Sequence, residues 1–161
     1  MIVLFLLLFF VDPRPLVIDY PVSDDWPECV IGADFTVHSY GLPASQMMFT
    51  PNYLTVDVGV YPKRMIDLSE SGFSLALNHA KRGIQAVNPV YVNGPRMSFN
   101  NEPKPTDPGE IAKEAALKSG LTNTPAGGFL YFPYSGDAAK IRNVSLIYTL
   151  GNGETRELVI R

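Results

Sequence analysis

Between Asn52 and Pro62 the chain reads NYLTVDVGVYP. Leu54, Val56, Val58 and Val60 fall on one side, and Tyr53, Thr55, Asp57, Gly59 and Tyr61 on the other. Alternation at period two, rich in β-branched residues, predicts a half-buried strand. Pro62 ends it, because proline cannot donate to a ladder. The same alternation predicts strands over Cys29–Tyr40, Phe73–Leu77, Gly128–Tyr134 and Asn143–Leu150. Leu16–Val22 reads as a short extended stretch, followed by a turn-like Ser23–Glu28. Lys63–Gly72 reads as a polar connection. Ala86–Val92 reads as an edge or irregular strand, because it contains Pro89. Gly151-Asn152-Gly153 predicts a tight hairpin, with Glu154–Arg161 returning antiparallel to the strand before it.

One helix breaks this pattern. Asp107 suits the cap, Pro108 the first helical position, and IAKEAALKS is a run of good helix formers ending at Gly120. Its apolar face is narrow, comprising Ile111, Ala115 and Leu117. A loop rich in Pro, Gly and Asn precedes it from Asn93 to Gly109. Together they form an insertion over 93–120. Gly 13 and Pro 14 among 161 residues also favour turns over long helices. The expectation is an all-β protein, an antiparallel β-sandwich with one short helical insertion. It comprises an apolar leader and linker over 1–22 and a single domain over 23–161.

The leader is Met1–Val11, MIVLFLLLFFV, eleven apolar residues stopped by Asp12, Pro13, Arg14 and Pro15. A membrane-spanning helix needs about 20 apolar residues, whereas a secretory signal core needs about 7–15. No Lys or Arg precedes the run and no small-x-small cleavage site follows it. A start placed upstream would account for the missing basic residues. The competing reading is a buried first strand. Export is the expectation, to the periplasm or cell envelope, with membrane contact only through an uncleaved leader. The net charge of −3 argues against a nucleic-acid surface, which needs a basic stripe. One Cys excludes an internal disulfide, and two His argue against a histidine metal centre.

YLTVDVGVYP, a polar connection, FSLAL and the late segment GGFLYFPYSGDAAKIRNVSLIYTL together resemble a known family. This is the uncharacterised immunoglobulin-like domains of exported bacterial envelope proteins. The resemblance covers about Asp34–Ile160. It implies an immunoglobulin-like fold and an envelope location, and it implies no catalytic residue. The insertion over 93–120 departs from a minimal domain of that kind. The Cys…Trp…Cys arrangement of antibody domains is absent, since Trp26 lies ahead of the single Cys29.

The search for chemistry yields no catalytic set, no metal set and no cofactor motif. His38 lies in a strand without a Ser or Cys motif to serve. His79 follows Asn78 in a polar connection. Asp24 and Asp25 are adjacent, so on a strand they point to opposite faces. Gly127-Gly128 continues into Phe129 rather than a phosphate-loop Lys, and no Gly-x-Ser-x-Gly elbow occurs. Four tyrosines remain as ligand-binding candidates: Tyr53 and Tyr61 on the polar face of the best strand, and Tyr131 and Tyr134 in a strand with rings on both faces. Tyr offers a large contact area with a polar handle. The expected function is non-catalytic binding of, or assembly with, an envelope protein. The alternative is a carbohydrate or small-ligand module using the tyrosines. A hydrolase built around His38 and Asp57 is the third option.

Overall fold

The computed structural model describes residues 17–36, 40–41, 48–49, 52–88, 108–149 and 153–161. They form a mostly β protein with one helix and several antiparallel sheets. The first sheet joins β1 (Val22–Asp25), β2 (Cys29–Thr36), β5 (Tyr53–Pro62) and β10 (Ala126–Pro133) in the order β1-β2-β5-β10. The second joins β7 (Phe73–Leu77), β8 (Ile84–Gln85), β11 (Val144–Thr149) and β12 (Thr155–Val159) in the order β12-β11-β7-β8. Two ribbons complete the set: β3 (Tyr40–Gly41) with β4 (Met48–Phe49), and β6 (Ile66–Leu68) with β9 (Gly120–Thr122).

The alternation in β5 decides where the core sits. Leu54, Val56, Val58 and Val60 are all buried, as the pattern predicts. Register places Ile31 and Ala33 of β2 against Val60 and Val58, and Leu130 and Phe132 of β10 against Val56 and Leu54. These residues share one apolar cluster with Phe73, Leu75, Val144, Leu146 and Leu158 of the second sheet. Each Val, Leu, Ile or Phe side chain in it contributes roughly 1.5–3 kcal/mol by leaving water.

The outer face of the first sheet carries a strip of small residues. Gly32, Gly59 and Gly127 lie side by side across β2, β5 and β10. Tyr20 fills the space over Gly32 and Gly59: a Cβ on either would stand 2.5 Å from an atom of its ring or hydroxyl. Tyr20 is itself buried. The stretch read as extended therefore differs. Val17–Asp19 is a 3-10 turn that delivers Tyr20, and the strand begins at Val22, the last residue of that stretch, and runs through Asp25 into the segment read as turn-like.

The helix α1 (Pro108–Ala115) begins at the expected Pro108 and ends at Ala115, short of the expected stop at Gly120. Ala112, Ala116 and Tyr131 form a second apolar cluster, with Tyr53, Val87 and Phe129 packed against it. Ala112, Ala115, Ala116 and Leu117 are buried here, and the side chain of Ile111 lies outside the described residues. The Leu117 N–H bonds to the Phe129 carbonyl, and the Val87 N–H to the Tyr131 carbonyl. Two crossing segments thus occupy the open edge of β10. Gly128 has φ +151, and a Cβ there would strike the backbone of Ala116 and Leu117.

Two elements escaped the pattern. The connection Lys63–Gly72 contains β6 and a 3-10 turn, and Gly120, read as a helix stop, opens β9. Both strands are three residues long, too short for periodicity to register. The apolar run 1–11, His38, the loop 93–107 and the hairpin tip 150–152 lie outside the described residues.

Candidate binding cleft

The turn Trp26-Pro27-Glu28 joins β1 to β2 and is held from several directions. The Trp26 N–H donates to the Cys29 carbonyl at 2.9 Å, and the indole Nε1–H to Asp24 Oδ2 at 2.8 Å. The Lys63 N–H donates to the Glu28 carbonyl at 3.0 Å, while Lys63 Nζ bonds the Trp26 carbonyl at 2.8 Å and pairs with Asp25. Asp24 and Asp25 thus serve different partners, as adjacent strand residues must.

This bracing turns Glu28 inward. It is only 2% exposed. Its Oε1 stands 3.7 Å from Arg156 Nε, an ion pair without a hydrogen bond, and both atoms are buried without a hydrogen-bond partner. Arg156 directs Nη1 to Glu154 instead. Arg156 sits opposite Tyr148 in the β11–β12 register. The Tyr148 ring stacks on Phe73 at 4.5 Å and on Trp26 at 6.2 Å, joining the two sheets at this end. Its hydroxyl donates to the Asp67 carbonyl at 3.1 Å.

A cleft of about 700 Å³ opens above these groups. Glu28, Tyr148, Thr149 and Gly72 line it from the two sheets and the turn before β7. Arg64, Met65, Ile66, Asp67, Ser69 and Ser71 line it from the β5–β7 connection. Ile66 and Leu68 of β6 turn toward the core, so alternation puts Asp67 on the outer side, where its register partner is Leu121 of β9. Met65 and Leu121 are large apolar side chains exposed at 58% and 76%. Met65 is thus an exposed apolar residue of the cleft lining, and Leu121 stands exposed on the adjoining strand β9.

The nearby nucleophiles are disarmed. Burial first, and then the charge of Glu28, push the Cys29 thiol up to about 11; Lys63 pulls the other way, and Asp25 adds a smaller push. Burial also raises the Tyr148 phenol, helped by Cys29, Asp67 and Glu28. Neither group is a nucleophile near neutral pH. The arrangement offers hydrogen-bond acceptors and apolar walls. Among the described residues no group of three or more His, Cys, Asp or Glu is arranged to hold a metal ion.

The four candidate tyrosines occupy different places. Tyr131 is buried beneath α1, and half-buried Tyr53 packs beside it. Tyr61 lies on the same outer face, opposite Val30, about 27 Å along β5 from Tyr53. Tyr134 follows β10, packs on the main core and donates its hydroxyl to the Asp137 carbonyl at 3.2 Å. The fold brings Tyr53 and Tyr131 together and keeps the other two apart. Asp57 is half-buried, with Asp34 and Phe129 as its cross-strand partners. His79 is exposed at the turn after β7.

Sequence reading passed over Glu28, Tyr148 and Met65. The one local signal is an acidic residue directly before the first buried position of β2, which is also how an ordinary solvated turn reads. No family model matches the chain, nor does any curated protein or solved structure.

Proposed function

We propose that this chain is a non-catalytic, exported binding domain with an immunoglobulin-like sandwich arrangement, and that it docks a segment of a partner protein of the cell envelope at the Glu28 cleft. The strand order supports the arrangement. Taken as A, B and E of such a domain, β2, β5 and β10 are neighbours in that order. Taken as G, F, C and C′, β12, β11, β7 and β8 are too. On this reading β1 adds a strand beside A, and α1 with the segment Ala116–Leu117 that follows it stands in place of D.

The observation that carries the binding function is a cleft with a buried carboxyl and the exposed Met65 in its lining, while Leu121, the exposed register partner of the lining residue Asp67, stands on the adjoining strand β9. Apolar anchors around a partly polar depression are what protein recognition uses. The raised thiol of Cys29 and phenol of Tyr148 favour binding over reaction there. The export part rests on the apolar run Met1–Val11.

A photo-crosslinking amino acid at Leu121, in the full chain made by its native cells, tests the docking. The expected result is one discrete adduct, absent from the same probe placed at exposed Lys81 and reduced by Met65→Ser. Equal labelling from both positions would overturn the docking site. Intact mass of the native protein from separated cell fractions tests export: loss of about 20 N-terminal residues in the envelope fraction is the expected result.

A further inference from the structure

We infer that the floor of the cleft is a receptor for a basic side chain of the partner, an ammonium or guanidinium that donates a hydrogen bond to Glu28. This rests on the docking surface proposed above and names the chemistry that enters it.

A carboxyl withdrawn from water needs both a counter-charge and hydrogen bonds. At Oε1, Glu28 has only the first. Arg156 stands 3.7 Å away without hydrogen-bonding Glu28 Oε1, and its own Nη1 is committed to Glu154. A buried polar atom without a partner calls for an explanation, and the cleft bordered by Glu28 supplies one. An entering N–H donor would complete the carboxyl. The walls suit the rest of such a side chain. The apolar stem of a Lys or Arg can lie along Met65 and Ile66 while its head reaches the floor. Arg64 opposes a cation, but it is exposed at the mouth, and Asp67 on the same lining offsets it. An entering anion would meet two carboxyls and only one cation among the lining residues.

The test uses the full chain with methyl-labelled methionine, followed by NMR. The probes are n-butylammonium and n-butylguanidinium chloride, with 1-butanol and sodium butyrate as controls at matched ionic strength. Saturating shifts of the Met65 methyl are expected with both cations and not with the controls. Glu28→Gln is expected to weaken the cations at least fivefold. Because Glu28 is buried, Arg64→Gln provides an independent check at an exposed site: it should tighten the cations about twofold. Equal response to 1-butanol, or no change in either variant, overturns the inference. The crosslink at Leu121 reads the docking separately. A discrete adduct with no cation response sinks this inference alone, and a cation response without an adduct sinks the protein-docking reading.

Discussion

The hydroxyl end of Tyr20 occupies the space that a side chain at Gly59 would need, 2.5 Å from where its Cβ would stand. The two residues are 39 positions apart and specify one another: the glycine strip makes room for the ring, and the ring covers the strip. Gly59→Ala is expected to destabilise by about 2 kcal/mol through overpacking. Tyr20→Ala should cost about 3–4 kcal/mol through the void it leaves. The double variant should cost clearly less than the sum, because the new methyl then has space. Urea denaturation of the four proteins measures the coupling, and strict additivity would show that the contact does not limit stability.

Alkali should unfold the protein through its buried thiol. Folding holds Cys29 at about 11 against an ordinary value of 9.0. Above pH 9 the unfolded chain loses this proton while the folded chain keeps it, so stability falls as pH rises toward 11. Two units correspond to about 3 kcal/mol at most. Tyr148, raised in the same sense, adds to the loss above its usual value of 10.0. Cys29→Ala should flatten the stability profile between pH 9 and 11, and native protein should resist thiol reagents at pH 8 until it is denatured.

Asn78 ties the second sheet to the segment before β11. Its side chain donates to the Lys140 carbonyl at 3.0 Å and accepts from the Arg142 and Asn143 N–H groups at 2.7 and 3.2 Å. Asn78 and His79 both take positive φ, 51° and 60°, in the turn after β7. Asn tolerates that region and most residues do not. Asn78→Ala should cost about 2–3 kcal/mol, losing both the bonds and the backbone fit. Asn78→Gly keeps the backbone fit, so it should cost less, and chemical denaturation of the two variants separates the contributions.

The Glu28–Arg156 pair should behave asymmetrically. Removing Arg156 leaves the buried Glu28 carboxyl without its counter-charge, so Arg156→Met is expected to destabilise the protein. Replacing both, as Glu28→Leu with Arg156→Met, should recover most of that loss or exceed the parent, since apolar packing avoids desolvating two charges. Thermal melts of the three variants check this. Recovery would also show that the pair is not needed for folding, in keeping with a role in binding.

Much of the fold was legible locally. The strand over 53–62, the alternating strands at 73–77 and 144–149, the antiparallel return at 155–159 and the start of the helix at Pro108 agree with the period and composition of neighbouring residues. These are properties of neighbouring residues, so the order of the chain carries them. The three-residue strands β6 and β9 were illegible because each is stabilised by the other across 52 or more residues, from Leu68 to Gly120. The candidate site was illegible for the same reason. Glu28 looks like any turn carboxyl until Arg156, Tyr148 and the β5–β7 connection close around it.

The sequence alone determined that this is a β-rich chain with one helix, an apolar N-terminal run and no known catalytic motif. Tertiary structure alone decided which polar groups lost their water. Alternation says which face a side chain takes, whereas burial depends on what packs over that face. For Tyr20, Tyr131 and Glu28 the covering residues come from distant parts of the chain, and only the folded arrangement brings them there.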